Sequence, residues 1–339
     1  MRRSCRPHAA RVMARVAPWF AAAGFGCAVL TLLPSTGLGQ GTKWPEKPIR
    51  AIVAFAPGGG TDVVARLLAP RMSEDLGQAI VLDNRPGAGG TIGSELAVRS
   101  TPDGYTQLVI PSSYASSAAL YKLSFDPIKG ITPISMIGIG PLVMLVNPAS
   151  KLTSLKELIE FARANPGAVS FGSSGVGGTP HLSGELLQQM TGIRLTHVPY
   201  KGDGPAMADL MGGHIQAAFA AGASAVPQVR AGKLRALGVT TEKRAPAAPD
   251  LPAMSEAVPG FSSSTWYGLV GPAGLSKEVV ARMTQTMVRV LERPDVQERL
   301  RADVVEPTPA TTAQEFARFI ESEIALWTKV IKAGKVTLD

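Results

Sequence analysis

Residues 49–72 read IRAIVAFAPGGGTDVVARLLAPRM, and this stretch decides the fold class. Residues 49–55 are apolar and rich in branched side chains, the pattern of a buried strand. Pro57 and the glycines that follow it interrupt the run. Beyond them Val64, Leu67, Leu68 and Met72 recur at helical spacing, with Thr61 the expected N-cap and Asp62 in the first turn. Strand, glycine loop and helix in this order open a parallel α/β unit.

The same grammar returns along the chain. A short strand at residues 80–82 leads into the glycine-rich stretch 85–90 and a helix near 92–98; Pro102-Asp103-Gly104 then turns the chain into a strand at 105–110. A capping box of Ser154 and Glu157 starts the helix SLKELIEFARA, which Asn165-Pro166-Gly167 ends. A second opening follows: a strand at 169–171, a glycine- and serine-rich loop at 172–178, and a helix begun by Thr179 and Pro180 with Leu182, Leu186 and Met190 on one face. Towards the C-terminus come a strand at 266–270, a helix from Ser276 to about residue 291, and a last helix opened by a Thr312–Glu315 capping box and running towards Ile331. Residues 245–252, rich in proline and alanine, read as a loop. Two similar openings in so long a chain predict two α/β lobes, each a parallel sheet covered by helices.

The N-terminus has the order of an export signal. Arg2, Arg3, Arg6, Arg11 and Arg15 precede an apolar stretch at 16–33, and no acid occurs before Glu46. Pro34 breaks the stretch, and Gly37 and Gly39 flank Leu38 in a small-x-small arrangement that places cleavage near residues 39–40. A retained membrane anchor is the competing reading, as is lipid attachment at Cys27, although Gly24, Phe25 and Gly26 lack the aliphatic residue such a site carries. Cleavage lowers the formal charge from +8 to +3, because residues 1–39 hold five of the 34 basic residues and none of the 26 acidic ones. The basic character therefore implies no nucleic-acid partner. Both cysteines, Cys5 and Cys27, also leave with the segment, so the expected product is a soluble, cysteine-free, exported protein.

Two motifs could carry chemistry. In FAPGGGTD, residues Phe55, Gly58, Gly59, Gly60, Thr61 and Asp62 form a loop whose backbone can approach a ligand and whose helix start presents unpaired amides to an anion. In FGSSGVGGTPHL, residues Ser174, Gly175, Gly178, Thr179 and His181 repeat the arrangement with added hydroxyls. Either could be a plain strand-to-helix turn; two in separate lobes are a less ordinary coincidence. Competing motifs fail: there is no GxxxxGK[ST] loop, Gly175-x-Gly177 meets Pro180 where a dinucleotide loop needs glycine or alanine, and no GxSxG elbow occurs. His181, His197 and His214 lack metal-site spacing and read as polar structural residues rather than catalysts. No enzyme, metal or cofactor is indicated.

In family order, the stretches WPEKPIRAIVAFAPGGGTDVVARLLA, NRPGAGGTIGSELAVRSTPDGYTQLV, FGSSGVGGTPHLSGELL, VPYKGDGPAMADLMGGHI, VRAGKLRALGVTTEKRAPAAPDLP and TWYGLVGPAG resemble the tripartite tricarboxylate transporter substrate-binding family, also called the Bug family. The resemblance implies a type II periplasmic-binding-protein fold: two α/β lobes, central sheets flanked by helices, closing over a small carboxylate that is handed to membrane permease subunits. It implies a monomer in the periplasm, with one lobe at residues 43–143 plus 265–339 and the other at 145–264. It places the ligand between the two glycine loops and adds Ser112, Ser113 and Tyr200 to the binding set, with His181 kept beside them. Many relatives carry an aspartate after the strand ending near Phe219, where this chain has Ala220 and Ala221. That departure predicts a carboxylate ligand without an ammonium group. An orphan receptor serving a sensor, and an exported hydrolase, are the alternatives.

Overall fold

The computed structural model describes residues 44–309, 311–334 and 336–337. The expected export signal and the two cysteines lie outside them. In chain order the first elements are β1 (Ile49–Val53), α1 (Gly60–Leu76), β2 (Ile80–Asn84), α2 (Thr91–Val98), β3 (Thr106–Pro111), α3 (Ser113–Leu120) and β4 (Ile131–Gly140). Then come β5 (Leu142–Val146), α4 (Leu155–Ala164), β6 (Ser170–Ser173), α5 (Thr179–Thr191), β7 (Thr196–Pro199), α6 (Asp203–Met211), β8 (Ala217–Ala221), α7 (Gly222–Arg230) and β9 (Arg235–Val239). The chain closes with β10 (Thr265–Pro272), α8 (Lys277–Glu292), α9 (Pro294–Ala302), β11 (Glu306–Pro307) and α10 (Ala313–Gly334).

The strands form two sheets of the same design. One runs β11-β4-β10-β3-β1-β2 and the other β9-β5-β8-β6-β7. In each, three neighbouring strands are parallel, β2, β1 and β3 or β7, β6 and β8, because an α-helix carries the chain from each to the next. The expectation of purely parallel sheets gives way at one inner strand of each sheet and at the two-residue edge strand β11. β10 and β5 run antiparallel to both of their neighbours, since each enters from the other lobe and not through a helical crossover. The chain changes sheet at Pro141, between β4 and β5, and again over residues 240–264, between β9 and β10.

Each sheet is packed on both faces. Val53, Leu269 and Met283 belong to one buried cluster of the first lobe, and Leu108, Ile110 and Phe316 to another. Phe171, Phe219 and Leu158 belong to one cluster of the second lobe, and Val143, Ala220 and Leu210 to the other. Strands covered on both sides carry apolar residues almost without interruption, which is why residues 49–55 show no alternation.

The caps differ from expectation. Gly59 and Gly178, both extended, occupy the N-cap positions of α1 and α5, and neither Thr61 nor Thr179 caps through its side chain. Thr179 instead spends its hydroxyl on Ser112. The capping box at Ser154 holds its amide bond, with Glu157 N–H donating to Ser154 Oγ at 3.2 Å.

Candidate functional site

A pocket lies between the lobes at the carboxyl ends of the parallel strands, where α/β sheets leave a crevice. Phe55, Gly59, Gly60 and Thr61 reach it from the β1–α1 loop, Pro111 and Ser113 from the end of β3, and Ser174 and Pro180 from the β6–α5 loop. Asp203 contributes from the start of α6, Ala221 from the end of β8, and Leu142, Thr265 and Tyr267 from the beginnings of β5 and β10. Among the described residues no lysine or arginine lines it.

Phe55, Gly59, Gly60, Thr61, Ser113 and Ser174 therefore come together as the sequence suggested. The other candidates stand behind the wall. Asp62 folds back over its own loop: its Oδ2 accepts from Gly58 N–H at 3.0 Å and Arg66 Nε at 2.8 Å, and its Oδ1 accepts from Asn84 Nδ2 at 3.0 Å. Burial opposes its ionisation, but Arg66, the Gly58 amide and Asn84 together hold the carboxyl below its ordinary range. Ser112 is fully buried and shares hydrogen bonds with Thr179 Oγ1 at 2.8 Å and Thr265 Oγ1 at 2.9 Å. Tyr200 donates to Asp209 Oδ2 at 2.7 Å, and burial, then that carboxylate, pushes its phenol up to about 12.

The second glycine loop differs most from expectation. Its amides are engaged within the protein: Gly175 N–H donates to Ser173 Oγ at 3.1 Å, Gly177 N–H to His181 Nδ1 at 3.1 Å, Gly178 N–H to the Gly175 carbonyl at 3.1 Å, and Thr179 N–H to Ser113 Oγ at 3.1 Å. His181 thus holds the loop from behind. Its ring stacks on His197 with centroids 4.0 Å apart, and His197 Nε2 shares a 2.6 Å hydrogen bond with Ser173 Oγ. Burial, then the neighbouring His181, drives the His197 imidazole down to about 3.

Several of these contacts cross between the lobes. Ser116 Oγ donates to the Gly177 carbonyl at 2.6 Å, Tyr121 Oη to the Val176 carbonyl at 3.1 Å, and Ala56 N–H to the Lys201 carbonyl at 2.9 Å. At the last contact the segment Gly202-Asp203-Gly204 interlocks with Ala56-Pro57-Gly58. A Cβ on Gly204 would lie 2.3 Å from the Pro57 carbonyl oxygen, and Gly202 has a φ of 153°. The two glycines let the backbones touch and carry Asp203 between them into the pocket.

Sequence reasoning missed Asp203. Its side chain is buried, and its Oδ2 accepts from the Ala221 amide at 3.1 Å. Burial pushes the carboxyl up to about 6 while the Ala221 and Gly60 amides pull the other way. An acid thus stands at the Ala221 backbone although the strand ending there carries none. Thr265 and Tyr267 were missed as well, because β10 reads from sequence only as a core strand; the KGDG turn and the hydroxyls of TWYG were the available signals.

A crevice between the strand ends of two sheets built alike, each completed by a strand from the other lobe, defines a type II periplasmic-binding-protein fold. Residues 64–336 match the tripartite tricarboxylate transporter family receptor, and the chain belongs to that family of periplasmic solute-binding receptors. It is 38% identical to the protein BugT of Bordetella pertussis over 293 residues, covering 85% of this chain and 90% of that one. A Rhodopseudomonas palustris protein solved with adipate is 35% identical, with a TM-score of 0.83 over 87% of this chain and 99% of the other. MatC from the same organism, solved with bound malate, is 30% identical, with a TM-score of 0.80 over 85% and 100%.

Proposed function

We propose that this protein is exported to the periplasm, captures a small carboxylate between its lobes and delivers it to the permease subunits of a tripartite tricarboxylate-type transporter. The observation that carries this reading is the pocket itself, lined from both lobes by the hydroxyls of Thr61, Ser113, Ser174 and Thr265 and by the first turn of α1. Hydroxyl donors and a helix N-terminus suit an anion without any basic side chain. Relatives of similar fold hold adipate and malate, two small carboxylates. Phe55, Gly59, Gly60, Thr61, Ser113 and Ser174 then face the ligand. Gly58, Asp62, Ser112, Gly175, Gly178, Thr179, His181 and Tyr200 shape and brace the loops that present them.

In this reading residues 43–143 plus 265–339 move against residues 145–264 about the two places where the chain changes sheet. Native mass spectrometry of gently purified protein tests the reading by identifying what it retains. A retained small acid is expected, and its addition at about 100 times its dissociation constant should stabilise the fold by about 2.7 kcal/mol. A protein that retains no acid and shows no thermal shift with a broad carboxylate panel is not such a receptor. Loss of uptake of that acid on deletion of the gene tests delivery separately.

A further inference from the structure

Asp203 Oδ1 and Tyr267 Oη are two polar atoms of the pocket wall, deeply buried and without a hydrogen bond of good geometry in the protein, although the Gly60 amide acts on the carboxyl and the Thr265 hydroxyl on the phenol. They come from opposite lobes and flank Gly60: Tyr267 Oη lies 2.6 Å from where a Gly60 Cβ would be, and Asp203 Cβ lies 3.7 Å from the corresponding point on Gly59. A buried acceptor left unsatisfied is costly, so a native structure that keeps one in a ligand crevice implies a donor on the ligand.

Electrostatics adds a second constraint. Asp203 is the only acid lining the pocket among the described residues, and no basic side chain opposes it there. An ionised Asp203 repels a second carboxylate brought into the same enclosure. A donor group placed between the two relieves that repulsion, and a protonated amine does so most fully. The glycines on either side of Asp203 fit this role, since they allow the backbone contact that delivers the carboxyl across the interface.

We infer that Asp203, assisted by the Tyr267 hydroxyl, is a specificity residue that selects carboxylates bearing a hydrogen-bond donor, a protonated amine or a hydroxyl, beside the acid group. This rests on the proposed carboxylate reading and sharpens it. It also reverses the expectation drawn from Ala220 and Ala221, because the acid absent from β8 arrives at the same backbone from α6.

Titration calorimetry on matched sets tests the inference: succinate, malate and aspartate; glutarate, 2-hydroxyglutarate and glutamate; propionate, lactate and alanine; phenylacetate, mandelate and phenylglycine. The donor-bearing member is expected to bind at least about tenfold more tightly than its unsubstituted analogue in the set that fits, and amine against hydroxyl shows which donor is read. Asp203→Asn should collapse the preference. Tyr267→Phe, which removes a hydroxyl that makes no well-formed hydrogen bond in the protein, should weaken it in a protein that still melts cooperatively. Equal or tighter binding of the unsubstituted acid, or a preference that survives Asp203→Asn in a cooperatively melting protein, overturns the inference. Binding without discrimination removes this inference alone, whereas failure of every carboxylate to bind removes the carboxylate reading and this inference with it.

Discussion

Asp203 should leave its mark on stability as well as on selectivity. Its carboxyl, pushed up to about 6 by burial, holds its proton more tightly folded than unfolded. The stability this lends is complete below the ordinary value of 3.8 and is lost as pH rises through about 6. At most roughly 3 kcal/mol is at stake, because the lobes can part and hydrate the carboxylate. Asp203→Asn does not titrate, so its stability relative to the parent should climb across that window in denaturant melts; a flat difference would contradict the burial argument. His197 leans the other way. Held down to about 3, it contributes stability that is present above 6.5 and lost as pH falls towards 3. His197→Gln should therefore flatten the acid limb of the same curve, and an unchanged acid limb would contradict the burial argument for His197.

At the scale of the element, the start of α5 offers the clearest separation of binding from folding. Gly178 has a φ of −68°, so a side chain is conformationally allowed there, and a Cβ would meet Ser174 Oγ at 3.1 Å, the Gly175 carbonyl oxygen at 3.2 Å and Ser113 Oγ at 3.4 Å. Both serines line the pocket. Gly178→Asp should melt cooperatively within about 1 kcal/mol of the parent yet bind no carboxylate by calorimetry; undiminished affinity would take this loop out of the site. The element is also where sequence reading succeeded and stopped. β1, its glycine loop and α1 were legible because an unbroken apolar run gives way to helical spacing within a few residues. The Thr312–Glu315 box was legible because both of its bonds are local, Thr312 N–H to Glu315 Oε2 at 2.9 Å and Glu315 N–H to Thr312 Oγ1 at 3.2 Å. β4, ITPISMIGIG, hides in proline and glycine, and β8, AAFAA, was visible only through the family resemblance; the state of both is settled by neighbouring strands. The site followed the same divide. Thr61 sits where the glycine-loop motif puts it and Ser113 where the family resemblance does, whereas Asp203 sits in a turn that gains meaning only when it docks on the other lobe.

For the whole molecule, Gly60 is the point at which closure can be tested. A Cβ there would lie 2.5 Å from Ala221 Cβ in the opposite lobe and 2.6 Å from Tyr267 Oη, too close for either to stay in place. Gly60→Ala should hold the lobes apart, giving a larger radius of gyration in small-angle scattering and weaker carboxylate binding from two intact lobes. An unchanged radius and affinity would show that the crevice closes elsewhere. The reversed strands have another consequence, one of timing. β10 lies between β3 and β4 in the first sheet, yet it is made only after the whole second sheet. The lobe that begins first in the chain is thus the lobe that is completed last, and the N-terminal half must wait, with a gap at the centre of its sheet, until residues 265–272 are in place.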